Sequence, residues 1–167
     1  DALTGLFNRR HFREVFEHQI HRANEHRQPL GILMIDMDHF KGINDKWGHR
    51  VGDVVLASLA TRIRESVRQG DTVGRIGGDE ILILLFGVHG LDEAVQIAEK
   101  IRSRDAEPIH ESGNTVRATL SIGVTASQPG DRGGDPLMSE RGALALSKAR
   151  QYGGNQGRYR DAGYRGR

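Results

Sequence analysis

Apolar residues recur near the start of the chain at intervals of three and four. Phe12, Val15, Phe16, Ile20 and Ala23 fall on one stripe of a predicted helix, Asn8 stands at its N-cap position, and the pattern stops before Pro29. Residues 31 to 38, GILMIDMD, read instead as a buried strand that ends in two carboxylates. The polar stretch HFKGINDKWGHRVG, residues 39 to 52, reads as a loop, and Val55, Leu56, Leu59, Ile63 and Val67 then mark a second helix. Residues 71 to 86, DTVGRIGGDEILILLF, predict a β-hairpin with Gly77 and Gly78 in the turn. A third helix after Gly90 carries Ala94, Ile97, Ala98 and Ile101. A β-branched strand covers residues 117 to 127, and a last helix residues 136 to 152.

Strands alternating with helices, plus one hairpin, predict an α/β sheet with helices packed against it. The 167 residues contain no Pro/Ser-rich linker or shift in composition, so one domain is expected. No apolar run approaches the roughly 18 residues of a membrane helix, and the N-terminal residues lack the pattern of a secretory signal. The opening DALTGLFNRR without an initiator Met predicts that the chain is a piece of a longer protein. With no cysteine there is neither a disulfide framework nor a thiolate metal site. Lys and Arg number 24 against 22 Asp and Glu, and the surplus gathers in GRYRDAGYRGR at the end, so nucleic-acid binding by the domain is not implied.

The candidate chemistry lies in two acidic pairs. Asp36 and Asp38 are two apart in a strand and are expected on one face. Asp79 and Glu80 follow two glycines, where the missing Cβ atoms let a backbone or phosphate approach closely. If the two strands are neighbours, Asp36 and the Asp79/Glu80 turn would share a hard, oxygen-liganded cation, which suits Mg²⁺ against nucleotide phosphates. Taken alone, the glycine-acid turn reads more readily as a hairpin with solvated acids. Lys41 adds a phosphate-seeking charge, and Asn44 and Asp53 match the edges of guanine. A carboxylate accepts from both N1–H and N2–H₂ of guanine, donors adenine does not offer, so GTP is favoured over ATP.

The segments DALTGLFNRR, DMDHFKGINDKWGHRVGD and RQGDTVGRIGGDE together resemble the GGDEF family of diguanylate cyclases, over residues 1 to 157, leaving 158 to 167 as a basic tail. The resemblance implies a central, mostly antiparallel sheet flanked by helices, of the ferredoxin-like nucleotidyl-cyclase palm type. It implies an enzyme that condenses two GTP molecules into cyclic di-GMP, working as a homodimer in which each domain holds one GTP. Asp36, the Met37 carbonyl and Asp79 would ligate Mg²⁺ (or Mn²⁺), with Glu80 completing the acidic centre. On the same resemblance Asp79, Glu80 and Lys41 would carry the catalytic roles, Asn44 and Asp53 would read guanine, Phe40, Gly77 and Gly78 would shape the pocket, and Arg150 would meet the triphosphate. Arg68 and Asp71 match an RxxD site for inhibition by the product, although an Arg and Asp so placed also suit a local ion pair closing a helix end. A sensory or regulatory module on the N-terminal side and a cytoplasmic location are further expectations, with neither nucleic acid nor membrane as a partner of this domain.

Two departures stand out. Ile81 replaces the Phe of the signature, which predicts a packing change only. In the last helix ALALSKARQYGGN, aligned at Asn155, Ser147 takes a Tyr position, Arg150 a Lys position and Gly154 an Arg position. Losing one charge-assisted phosphate bond costs about 1.5 to 3 kcal/mol. Lys148 and Arg158 are candidate replacements. The alternative expectation is a weakened domain that acts as a receptor for GTP or cyclic di-GMP.

Overall fold

The computed structural model describes residues 1 to 127; the expected last helix, with Arg150 and Gly154, and the basic tail lie outside the described residues. Helix α1 (Arg9–Glu25) begins where Asn8 accepts a hydrogen bond from the His11 N–H at 2.9 Å, the N-cap read from the sequence. Its buried stripe is Phe12, Phe16, Ile20 and Ala23. Strand β1 (Gly31–Met37) follows and becomes one of the two inner strands of a four-stranded sheet.

The stretch expected as a loop between residues 39 and 52 is instead helix α2 (Phe40–Trp47) and the first turn of α3 (His49–Ser66). Phe40, Ile43 and Trp47 do sit at helical spacing, but Gly42 and a length of 8 residues dilute that signal. Gly48 joins the two helices at φ +89°, a conformation that suits glycine, and donates its N–H back to the Asn44 carbonyl at 2.8 Å.

Strands β2 (Thr72–Arg75) and β3 (Glu80–Leu85) form the expected hairpin, and α4 (Leu91–Asp105) is the expected third helix. A second, small hairpin was not expected: β4 (Ile109–Glu111) and β5 (Asn114–Val116) pair around Ser112 and Gly113, both at positive φ. Strand β6 (Leu120–Ala126) starts three residues later than the sequence suggested.

The sheet order is β2-β3-β1-β6, with β1 antiparallel to both β3 and β6 and β2 antiparallel to β3. This mixed α/β fold, a mainly antiparallel sheet carrying helices, is the expected class. Both faces are covered, which is why β1 and β3 read as nearly continuous apolar runs. Leu33, Ile35, Met37, Ile81, Ile83 and Leu85 pack into one core with α3 and α4. Ile32, Leu82 and Leu84 alternate with them and pack beneath the α1 residues Phe12, Phe16 and Ile20. Gly74 lets α1 settle on β2, since a Cβ there would lie 2.5 Å from the Phe12 ring and 2.8 Å from its Cβ. Truncating a buried Phe of this layer to Ala would cost about 3 to 5 kcal/mol.

Candidate active site

Antiparallel pairing decides where the acids go. The β1–β3 register sets Asp36 directly opposite Glu80, and the Met37 N–H donates to the Asp79 carbonyl at 3.4 Å. Directly opposed residues share one face of a sheet, with Cβ atoms about 4.5 to 5.5 Å apart. The first acid is buried, at 4% exposure, whereas Asp79 is half-buried and Glu80 exposed. One end of two adjacent strands therefore carries three carboxyl groups and the Met37 main chain. Among the described residues no three His, Cys, Asp or Glu side chains form a metal-holding group by themselves. A cation here would draw on main-chain and phosphate oxygens as well, which is ordinary for a hard ion such as Mg²⁺.

Asp36 and Asp38 converge on the same residue of β6: Ser121 is the register partner of Asp36 and donates its hydroxyl to Asp38. The strand ends at Met37, and the Asp38 carboxylate turns to β6, accepting the Thr119 hydroxyl at 2.6 Å and the Ser121 hydroxyl. Its N–H also donates to the Thr119 carbonyl at 2.9 Å. Asp38 thus fastens β1 to the start of β6, leaving Asp36 to the acidic centre.

The turn between β2 and β3 is held from both sides. Ile76 and Gly77 both donate their N–H groups to the Glu80 carbonyl, at 2.9 and 3.4 Å. A Cβ on Gly77 would stand 3.0 Å from a Glu80 carboxylate oxygen, while Gly78 has open space around it. Arg75 donates from Nε and Nη2 to the Gly78 carbonyl at 3.1 and 2.8 Å, and from Nη1 to the Asp1 carboxylate at 3.3 and 3.2 Å. The sequence reading passed over Arg75, although its place two residues before the glycines and the leading Asp of DALTGLFNRR were visible signals.

Beside this end of β1, α2 starts from His39 in the left-handed region, at φ 55°, with no side-chain cap on its first turn. Lys41 is exposed, and Phe40 and Asn44 are half-buried on the same helix. Asp53 is exposed in the early part of α3, which packs on α2. Gly52 lies in the contact between the helices. A Cβ built there would fall 1.7 Å from Asn44 Oδ1 and 2.9 Å from its Cγ. Gly52 is the other residue that sequence reasoning missed, and nothing local marks it.

The Arg68/Asp71 pair sits apart, at the loop after α3. The Asp71 side chain is only 2% exposed and both its oxygens accept main-chain N–H groups, from Arg68 at 2.9 Å and from Phe86 at 3.3 Å. Arg68 is 60% exposed, with Nε 3.8 Å from Asp71 and Nη2 donating to the Phe86 carbonyl at 3.4 Å. Arg64 closes the loop from beneath, donating to the carbonyls of Asp71, Gln69 and Arg68 at 2.7, 3.1 and 3.3 Å.

Comparison with known proteins points to one family. The family model described as diguanylate cyclase, GGDEF domain, matches residues 1–156. The diguanylate cyclase TpbB of Pseudomonas aeruginosa is 44% identical over 125 residues, which cover 74% of this chain and 29% of that protein. A solved GGDEF-domain structure of TpbB superposes with a TM-score of 0.89 at 36% identity, covering 97% of this chain and 94% of that one. The GGDEF domain of DgcB from Caulobacter crescentus, solved in complex with cyclic di-GMP, gives a TM-score of 0.89 at 27% identity, covering 98% and 93%. The chain spans less than half the length of the curated relatives it matches first.

Proposed function

The chain belongs to the GGDEF diguanylate cyclase family, and from that premise we propose that it condenses two GTP molecules into cyclic di-GMP with release of pyrophosphate. The observation that carries this reading is the β1–β3 register, with Asp36 opposite Glu80 and Met37 bonded to Asp79. A buried carboxylate, two further acids and a main-chain carbonyl at one sheet end form a donor set that fits a hard divalent cation. Asp36, the Met37 carbonyl and Asp79 would hold Mg²⁺, or Mn²⁺ in its place, with Glu80 completing the charge. When bound, the ion supplies polarisation of the attacked phosphoryl group and neutralises its developing charge.

The remaining residues bind and orient. Lys41 brings positive charge to the phosphates, and the uncapped first turn of α2 offers N–H groups and the positive end of a helix dipole to the same anion. Phe40, Gly77 and Gly78 shape the pocket around ribose and phosphates. Asp53 accepts from N1–H and N2–H₂ of guanine while the Asn44 amide meets the base beside it. Arg150, outside the described residues, would reach the triphosphate.

Each ring-closing step forms a bond from the 3′-oxygen of one nucleotide to the α-phosphorus of the other, as the bond to pyrophosphate breaks. The 3′-hydroxyl proton leaves to a carboxylate or water. Because the nucleotides must react with each other, two copies of the domain face one another, each presenting one GTP. Product inhibition acts through Arg68, whose exposed fork suits guanine O6 and N7, with Asp71 holding the loop beneath it. Use of GTP puts the domain in the cytoplasm, and the greater length of its relatives supports a sensory or regulatory module in the parent protein.

The test is direct. The purified domain, concentrated enough to dimerise and given GTP and Mg²⁺, should yield cyclic di-GMP and pyrophosphate on chromatography. Asp79→Asn should abolish synthesis with an unchanged circular dichroism spectrum. A chain that binds cyclic di-GMP but forms none would be a receptor, and the cyclase reading would be wrong.

A further inference from the structure

Gly52 occupies a place where glycine is unfavourable on local grounds. It lies within α3, where it weakens the helix by roughly 0.5 to 1 kcal/mol relative to Ala. Its φ is not in the left-handed region, so the backbone does not demand glycine there. What demands it is a side chain eight residues earlier in the sequence. The amide oxygen of Asn44 rests on the Gly52 Cα, so close that an added Cβ would lie 1.7 Å from Oδ1, 2.9 Å from Cγ and 3.6 Å from Nδ2. That oxygen is shielded from solvent and has no hydrogen-bond partner. No polar contact holds the amide at this end; only the absence of a side chain on α3 does.

Resting on the cyclase reading above, we infer that Gly52 is a positioning residue for guanine recognition: its missing Cβ is the seat that fixes the Asn44 amide beside Asp53. Any side chain at position 52 must displace Asn44, because Gly48, with its N–H on the Asn44 carbonyl and its carbonyl accepting the Gly52 N–H at 3.1 Å, keeps α2 and α3 from separating. The displacement reaches the base reader and spares the acidic centre, which belongs to β1 and β3. Gly52 touches no substrate; it acts through Asn44.

The experiment compares the wild-type domain with Gly52→Ala, Asn44→Ala and the double variant, titrating GTP and, separately, inorganic triphosphate in the presence of Mg²⁺. Gly52→Ala should weaken GTP binding about ten-fold, close to the loss in Asn44→Ala. Inorganic triphosphate, which has no base, should bind as it does to wild type. The rise should appear in KM, with kcat at saturating GTP changed far less. The melting temperature should hold or rise with helix propensity. Since both substitutions remove the same contact, the double variant should bind GTP no worse than Asn44→Ala alone.

Wild-type GTP affinity in Gly52→Ala, equal losses for GTP and triphosphate, or defects that add in the double variant would each overturn the inference. Should Gly52→Ala fail to fold while the double variant folds, the steric coupling is supported; failure of both would overturn it. A wild-type domain that binds no GTP would instead overturn the cyclase reading, and this inference with it.

Discussion

Arg75 grips the carbonyl of Gly78 with two nitrogens at once, Nε at 3.1 Å and Nη2 at 2.8 Å. The residue that begins β3 therefore follows a turn whose backbone is clamped, though glycine there is otherwise free to wander. The third nitrogen of the same guanidinium is held by Asp1, ahead of α1, so the clamp ties the N-terminal segment to the acidic turn. Lysine carries the charge but cannot make a planar forked grip. Arg75→Lys should lower the rate of cyclic di-GMP synthesis roughly ten-fold and cost about 1 to 2 kcal/mol in stability. Initial rates and urea unfolding check this, and a variant with unchanged rate would show that the turn is held without the fork.

Asp38 and Asp36 should respond oppositely to substitution. The Asp38 carboxylate accepts two hydroxyls from the segment entering β6, and its N–H adds a third tie to Thr119. Removing it leaves two buried or half-buried hydroxyls without their charged acceptor. Asp38→Ala should therefore cost about 2 to 3 kcal/mol in unfolding free energy. Asp36→Asn should leave the unfolding midpoint near wild type while eliminating product. Equal effects of the two on stability, measured by urea titration, would count against this division of labour.

How much of this was legible in the chain depends on the range of the interaction. The α1 stripe, the Asn8 cap and the Gly77–Gly78 hairpin are decided by residues close in sequence, and each stands where its pattern put it. The adjacency of β1 and β3 was required by the acidic cluster before it was seen, and it is present. The separate fates of Asp36 and Asp38 were not legible, because they depend on where β1 ends and on partners more than 80 residues away. Short elements hid as well. The three-residue strands β4 and β5 have too few positions to show a period, and α2 begins from a left-handed His39 in place of a recognisable cap. The role of Gly52 is the extreme case, since its reason is a side chain on another helix.

The last residue of α4 gives the domain a pH dependence of its own. Asp105 is 1% exposed, and neither carboxyl oxygen has a hydrogen-bond partner. Two arginines stand near, but both are engaged elsewhere. Arg62 donates to the carbonyls of Glu107 and Pro108 at 2.7 and 3.1 Å, and Arg104 pairs with Glu65. Burial therefore dominates and lifts the Asp105 carboxyl from 3.8 to about 7, with Arg62 and Arg104 pulling it back only in part and Glu107 adding to the rise. Below pH 3.8 the group is protonated in both folded and unfolded chains and is neutral in the balance. Between there and about 7 only the unfolded chain gives up its proton, so this residue makes stability fall as pH rises; above that the loss is constant. The stability lost across this interval is at most about 4 kcal/mol. Asp105→Ala should thus raise the unfolding midpoint at pH 7.5 and have little effect near pH 4, so that the difference between variant and wild type grows across the interval. Urea titrations at several pH values read that difference, and one that stays flat or shrinks as pH rises would mean that the buried carboxyl is ionised at little cost.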